Sequence, residues 1–321
     1  MSATVALEIA GGFVLLFFGA EFLVRGSSTL AARLGIPPVV IGLTVVAFGT
    51  SAPELAVSLL SASRGESGIA VGNVLGSNVF NILVILGLAS LVHPLIIHTR
   101  VVWRDVPVML GISLLTWLFA SDGIVSRFDG AVMVIGLAAF LWSMRSGAEE
   151  EAEETARPTG GGWGPIATNV GTVLTGLVLL VLGSHWLVDG ATTLARWMGV
   201  SELVIGLTLV ATGTSLPELA TSIVAALRDE RDIAVGNVVG SNVFNLLGVL
   251  GIAALVSGTP VAVTRPSLVV DFPVAIGAAL LCLIFFYPRH RLSRVQGGVM
   301  LACYVAYVSY LFMSALKIGI T

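Results

Sequence analysis

The sequence predicts an all-α polytopic membrane protein with ten transmembrane helices, arranged as two inverted five-helix repeats. Three observations carry that expectation. Of 321 residues, 56% are hydrophobic and only 11% charged, against about 25% charged in an ordinary soluble chain. The mean hydropathy is +0.99. The apolar runs are long enough to cross a bilayer, which takes about 20 helical residues. Finally, the chain repeats itself at a constant offset.

Apolar stretches between polar or Pro/Gly breaks fall at roughly 6–33, 37–63, 68–91, 104–121, 127–145, 166–197, 201–227, 233–256, 267–287 and 294–316. The first and sixth exceed what a span requires and are expected to tilt. The runs are continuous rather than alternating, which favours helices over a β-barrel. No basic segment precedes Phe13, so the first run reads as a retained helix. Placing both termini outside puts Arg33, Arg100, Arg104, Arg145, Arg157, Arg228, Arg231, Arg289, Arg291 and Arg294 in inner loops. It leaves Arg64, Arg127, Arg196, Arg265 and Lys317 outside. The positive-inside rule therefore favours a multi-pass cell-membrane protein with both termini outside.

The net charge of −3, with no basic cluster, leaves no nucleic-acid footprint. Cys282 and Cys303 both lie in apolar runs, which excludes a disulfide framework or a Cys-rich metal site. Residues 147–165 hold Glu149, Glu150, Glu151, Glu153 and Glu154 and then a Gly-rich stretch. They read as a flexible cytoplasmic linker between a first repeat, 1–146, and a second, 166–321.

The repeat is plain. GLTVVAFGTSAPELAVS at 42–58 returns as GLTLVATGTSLPELATS at 206–222, with thirteen of seventeen positions identical. IAVGNVLGSNVFNILVILG at 69–87 returns as IAVGNVVGSNVFNLLGVLG at 233–251, with fifteen of nineteen identical. Both pairs share an offset of 164. Five helices per half is odd, so the second half must enter the membrane from the opposite side. Inverted repeats with helix breaks at matching positions characterise secondary transporters.

In the second helix Ala47, Thr50, Ser51 and Glu54 share one face. Pro53 cannot donate to the carbonyl of Gly49 and crowds that turn, so the helix should break there and free carbonyl oxygens. Ala211, Thr214, Ser215, Pro217 and Glu218 repeat the pattern. On the third and eighth helices Asn73, Ser77 and Asn81, and then Asn237, Ser241 and Asn245, line one face. Together these faces form an all-oxygen shell suited to hard cations, Ca²⁺ above all, and poorly suited to zinc or copper. An ionised Glu at the membrane centre costs at least about 2.5–3.5 kcal/mol on the insertion scale, so Glu54 and Glu218 read as cation ligands. Asn73, Asn237, Asn78 and Asn242 lie at helix starts or off the main face, and read equally well as helix glue.

GTSAPELAVS with GNVLGSNVFN, twice over, resembles the two α-repeats of the cation/Ca²⁺ antiporter superfamily, most closely its prokaryotic sodium/calcium exchanger branch. The likeness covers nearly the whole chain. It implies a single cation cluster in which Glu54 and Glu218, with Thr50 and Thr214, bracket Ca²⁺. Flanking Na⁺ sites would use Ala47, Ala211, Ser51, Ser215, Ser77, Ser241, Asn81 and Asn245. It further implies that the first and sixth helices slide across this core. Some members carry Asp at one of the positions held here by Asn81 and Asn245; this chain has two formal charges in the cluster, not three.

The expected function is Na⁺/Ca²⁺ antiport with Na⁺ and Ca²⁺ as substrates, electrogenic if more than two Na⁺ exchange for each Ca²⁺. Proton-coupled Ca²⁺ exchange on the same carboxylates is the alternative, and a cation channel a more distant one. No nucleophile beside a base is visible, so neither an enzyme nor a cofactor is expected. No partner beyond the lipid bilayer is implied. Glu21, midway along the first helix, and His185 at the matching place read as pore-facing or partner-bonded residues. Asp105 and Asp271 read as acids favoured by helix N-termini.

Overall fold

The computed structural model describes residues 3–155, 163–198 and 211–318. The described chain is mostly helical. The first part contains α1 (Ala3–Leu34), α2 (Pro38–Thr50), α3 (Ala52–Ser63), α4 (Ser67–Val92), α5 (Val101–Asp122) and α6 (Arg127–Thr155). Then follow α7 (Trp163–Trp197), the short α8 (Ala211–Gly213), α9 (Leu216–Leu227), α10 (Arg231–Val256), α11 (Ser267–Phe286) and α12 (Arg294–Ile318). Among the described residues eight helices are long and apolar enough to cross a membrane, and α2 with α3 makes a further span bent by 45°. The first half of the expected seventh span falls on 199–210, outside the described residues; α9 is its second half.

The acidic segment departs from expectation. α6 does not stop near 145 but continues to Thr155, because Glu and Ala are among the best helix formers. The expected loop is therefore helical in its acidic half, while 156–162 lie outside the described residues.

α4 and α10 form the buried centre. Val71, Val74, Leu75 and Ile85 join Val235, Val238, Val239 and Leu250 in one apolar cluster. The periphery is apolar and exposed: Phe13, Phe17, Leu118, Trp142, Val178 and Met313 all face outward. Polar residues inside and large apolar ones outside are the distribution that a lipid solvent selects.

α1 and α7 pack along their length on glycine. A Cβ on Gly12 would meet Leu187 N at 2.7 Å and Gly183 O at 2.9 Å; one on Gly19 would meet Leu180 N at 2.8 Å and Gly176 O at 2.9 Å. A Cβ on Gly26 would meet Val173 and Asn169. As numbers rise along α1 they fall along α7, so the two helices run antiparallel. Small residues permit this close approach, which supplies the van der Waals contact that holds helices together in lipid. Outside the helices, β1 (Leu95–Ile96) pairs with β4 (Arg291–Leu292), and β2 (Ile124–Val125) pairs with β3 (Val261–Ala262). The loop after α4 thus joins the loop before α12, and the loop after α5 joins the loop after α10.

A Cβ at Gly176 would sit 2.6 Å from Leu23 N and 2.8 Å from Gly19 O. Backbone cannot step aside as a side chain can, so Gly176→Ala should destabilise the protein by about 1–3 kcal/mol. Gly171→Ala, with nothing within 4 Å, should be neutral or slightly stabilising. Thermal unfolding in detergent compares the two; equal melting points would contradict the packing described.

Candidate functional site

The proline motif breaks its helix as the sequence predicts. α2 ends at Thr50, Ser51 leaves helical geometry (φ −81°, ψ 7°), and α3 restarts at Ala52. Ser215 does the same (φ −89°, ψ 7°) ahead of α9. Each restart places a carboxylate, Glu54 or Glu218, in the first turn of the new helix. The partial positive charge of a helix N-terminus favours an anion there. Both glutamates are fully buried.

The expectation of bared carbonyls is met less simply. Ala47 O accepts the Ser51 N–H at 3.0 Å, with Thr50 Oγ1 3.4 Å away. It is partly engaged, with little more than one lone pair to offer. Ala211 begins α8, but its side chain is outside what the structure describes.

The two breaks meet at the centre and exchange hydrogen bonds in matched pairs. Ser51 Oγ donates to Glu218 Oε1 at 3.0 Å, and Ser215 Oγ donates to Glu54 Oε1 at 2.9 Å. Ser77 Oγ lies 3.4 Å from the same Glu54 oxygen and 3.0 Å from Ser215 Oγ. Thr50 Oγ1 donates to Asn237 Oδ1 at 3.1 Å, and Thr214 Oγ1 donates to Asn73 Oδ1 at 3.3 Å. Those asparagines are held in turn: Asn73 Nδ2 donates to Glu54 O and Ser58 Oγ, and Asn237 Nδ2 to Glu218 O and Ser222 Oγ. Spending each threonine hydrogen on an asparagine leaves the hydroxyl lone pairs free to accept.

Asn81 and Asn245 stand where α4 and α10 each open into a wide π-helical turn, Asn81–Leu86 and Asn245–Leu250. Such turns recur at functional positions. Among the described residues Glu54 Oε2, Glu218 Oε2, Asn81 Oδ1, Asn245 Oδ1 and Ser241 Oγ are buried without a hydrogen-bond partner, and each belongs to a residue that the repeat singles out. Thr221 Oγ1, one turn beyond Glu218, is also buried and unpartnered, where the first half has Val57. Unsatisfied buried acceptors are costly, and carboxylate and amide oxygens can be satisfied only by a donor or a cation. Among the described residues no three His, Cys, Asp or Glu come together; the oxygens are carboxylate, hydroxyl and amide, the ligand set of hard cations.

The asparagines balanced between glue and function are part of this network. Asn73 and Asn237 fix the threonines, and Asn242, which the spacing sets off the ligand face, accepts from Asn81 at 3.2 Å. Ser58 and Ser222 were missed as site residues although each lies four residues after its glutamate and so on the same helix face; that spacing and their recurrence at the 164-residue offset were the signal available.

Glu21 is partner-bonded: Arg228 donates to it through Nε at 2.9 Å and Nη2 at 2.5 Å, and Arg25 adds a second pairing. Its counterpart His185 is exposed and lies 3.7 Å from Asp189. Asp105 and Asp271 sit at the far end of π-helical turns rather than in a first α-turn. Side chains serve them in place of a helix dipole: Arg100 Nε is 3.7 Å from Asp105, and Tyr307 OH donates to Asp271 at 2.8 Å.

A helical, lipid-facing bundle with two matched helix breaks and surplus buried acceptors at its centre defines a multi-pass membrane protein built to handle ions. A family model described as sodium/calcium exchanger protein matches residues 5–144 and again 168–313. The putative antiporter CaxA of Alkalimonas amylolytica is 38% identical over 94% of this chain and 97% of its own length. The sodium/calcium exchanger MaX1 of Methanosarcina acetivorans is 32% identical over 94% and 96%. A solved structure of the sodium-calcium exchanger NCX_Mj superposes with a TM-score of 0.84 at 30% identity, covering 97% of this chain and 100% of that one. The chain belongs to the sodium/calcium exchanger family, whose members are antiporters.

Asn237→Ala would remove one hydrogen-bond partner each from Glu218 O, Ser222 Oγ and the Thr50 hydroxyl. Leaving buried groups unpaired costs about 1–3 kcal/mol, so its melting temperature should fall below the parent's; an unchanged value would contradict the network.

Proposed function

We propose that the protein is a Na⁺-driven Ca²⁺ antiporter of the cell membrane. In this reading Glu54, Glu218, Thr50 and Thr214 hold Ca²⁺. Na⁺ is held around them by Ser51, Ser215, Ser77, Ser241, Asn81 and Asn245 and by the carbonyls of Ala47 and Ala211. The observation that carries the reading is the set of buried, unpartnered oxygens, two of them on carboxylates contributed by opposite halves of the chain. Two carboxylates offset a divalent charge, and Ca²⁺ takes six to eight oxygens. Proton exchange needs only the carboxylates; the ordered hydroxyls and amides around them favour Na⁺ as the counter-ion. The names of the similar exchangers point the same way.

The architecture of this reading is ten spans in two inverted repeats with both termini outside. Two features support inversion. α1 and α7 occupy matching places in the two halves and pack antiparallel. The strand pairs join the third connection of one half to the fourth of the other, as opposite insertion requires. Alternating access then consists of the glycine-packed α1–α7 pair moving as a unit across the α4–α10 core. That motion exposes one cluster to each side in turn.

Proteoliposomes test the coupling. An imposed Na⁺ gradient should drive Ca²⁺ movement and carry current; transport that follows a pH gradient and ignores Na⁺ would replace Na⁺ by H⁺. Glu54→Gln and Glu218→Gln keep side-chain shape but remove one of two charges, so each should abolish Ca²⁺ exchange while the protein still folds. Ser61→Ala, buried without a hydrogen bond to the cluster, should leave exchange near the parental rate. Full exchange in either Gln variant would remove that residue from the site. For topology, a cysteine at Glu151 should react with an impermeant thiol reagent only from the cytoplasmic side; labelling of intact cells from outside would reverse the orientation.

A further inference from the structure

An amide ligand differs from a carboxylate in one respect: it has a wrong way round. A flipped asparagine presents two N–H hydrogens to a cation and repels it. The structure shows what prevents this at Asn245. Asn78 Nδ2 donates to the backbone carbonyl of Asn242 at 3.1 Å. A backbone carbonyl only accepts, so the orientation of the Asn78 amide is determined. Its Oδ1 must point the other way, and there it accepts Asn245 Nδ2 at 3.0 Å. Asn245 must therefore donate on that side, which turns its own Oδ1 toward the buried surface, where it has no hydrogen-bond partner among the described residues.

The other half repeats the arrangement with a different anchor. Asn81 Nδ2 donates to Asn242 Oδ1 at 3.2 Å, and its Oδ1 is likewise buried and unpartnered. Asn242 Nδ2 faces Met109 Sδ at 3.6 Å. Thioether sulfur is a weak acceptor and no donor, so the sense is the same and the hold is softer. Each pair crosses between halves: Asn78 serves Asn245, and Asn242 serves Asn81.

We propose that Asn78 and Asn242 are positioning residues that fix the amide orientation of Asn245 and Asn81, so that both present oxygen, never N–H, to the transported cation. The proposal rests on the reading of Asn81 and Asn245 as Na⁺ ligands. It has a consequence that packing alone does not. A carboxylate has oxygen on both branches and needs no orienting. With Asp at 245, Asn78 Oδ1 would face a carboxylate oxygen, and removing Asn78 would relieve a repulsion rather than release a ligand.

The test is the apparent dissociation constant for Na⁺, read from the Na⁺-dependent rise in melting temperature of the purified protein, with choline holding ionic strength constant. Asn78→Ala should weaken Na⁺ binding about tenfold, the usual scale for losing a residue that orients a ligand. In the Asn245→Asp background the same Asn78→Ala change should leave Na⁺ binding unchanged or tighter. Asn242→Ala, alone and with Asn81→Asp, repeats the comparison independently should one variant lack a cooperative melt. Equal weakening in both backgrounds would reduce Asn78 and Asn242 to packing residues and overturn the proposal, as would no weakening in the parent. Asn245→Ala and Asn81→Ala separate the two levels. If they leave Na⁺ binding intact, the ligand assignment itself fails and the proposal with it; if they weaken binding and Asn78→Ala and Asn242→Ala do not, the orienting role alone fails.

Discussion

The constraint on which the rest of this structure depends is an excess of acceptors over donors in a buried place. Glu54 and Glu218 lie at the meeting point of two helix breaks, fully buried, each with one oxygen held by a serine from the opposite half and the other without a hydrogen-bond partner among the described residues. Burying an unpaired charge in a low-dielectric interior is among the most expensive things a fold can do. The neighbouring serines, threonines and asparagines do not relieve it by supplying many hydrogens. Several direct their hydrogens away, to one another and to backbone carbonyls, and leave oxygens facing inward. A protein that only needed helix glue would have used those hydrogens on the carboxylates.

Much of this was legible in the sequence because the chain states it twice. A single GTSAPELAVS could be a kinked helix with a stray acid; the same run recurring after 164 residues at the same predicted depth could not. The break at Ser51 followed from the missing N–H of Pro53, and the shared face of Thr50, Ser51 and Glu54 followed from helical spacing. What spacing could not give was contact between halves. Asn78 and Asn242 lie off the ligand face of their own helices, and only the approach of α4 to α10 shows each bonded to the other half's asparagine. The π-helical turns at Asn81 and Asn245 escaped for a similar reason: the wider turn depends on tertiary packing, not on residue type. The acidic stretch after 145 was misread because charge was weighed over the helix propensity of Glu and Ala.

The halves agree over much of the centre, although Ser77 is bonded to Ser215 and Ser241 has no partner among the described residues, and they differ more at the edge. Every hydrogen bond to a carboxylate oxygen from Ser51 or Ser215 has its counterpart, as do those made by Asn73 and Asn237. Away from the cluster the match lapses. Glu21 on α1 is clasped by Arg228 in the turn after α9, while the corresponding positions hold His185 and Arg64, two bases with no reason to pair. A centre that must present the same ligands to either side keeps its symmetry; a periphery that meets two different aqueous compartments need not.

The central claim is that Ca²⁺ and Na⁺ occupy one shared cluster around Glu54 and Glu218. Equilibrium Ca²⁺ binding to the purified protein at increasing Na⁺, with choline as the balancing ion, tests it directly. A shared cluster predicts that Na⁺ weakens Ca²⁺ binding without lowering its capacity, and more steeply than in proportion to Na⁺ because several Na⁺ ions must enter. Ca²⁺ binding that ignores Na⁺ would contradict the account.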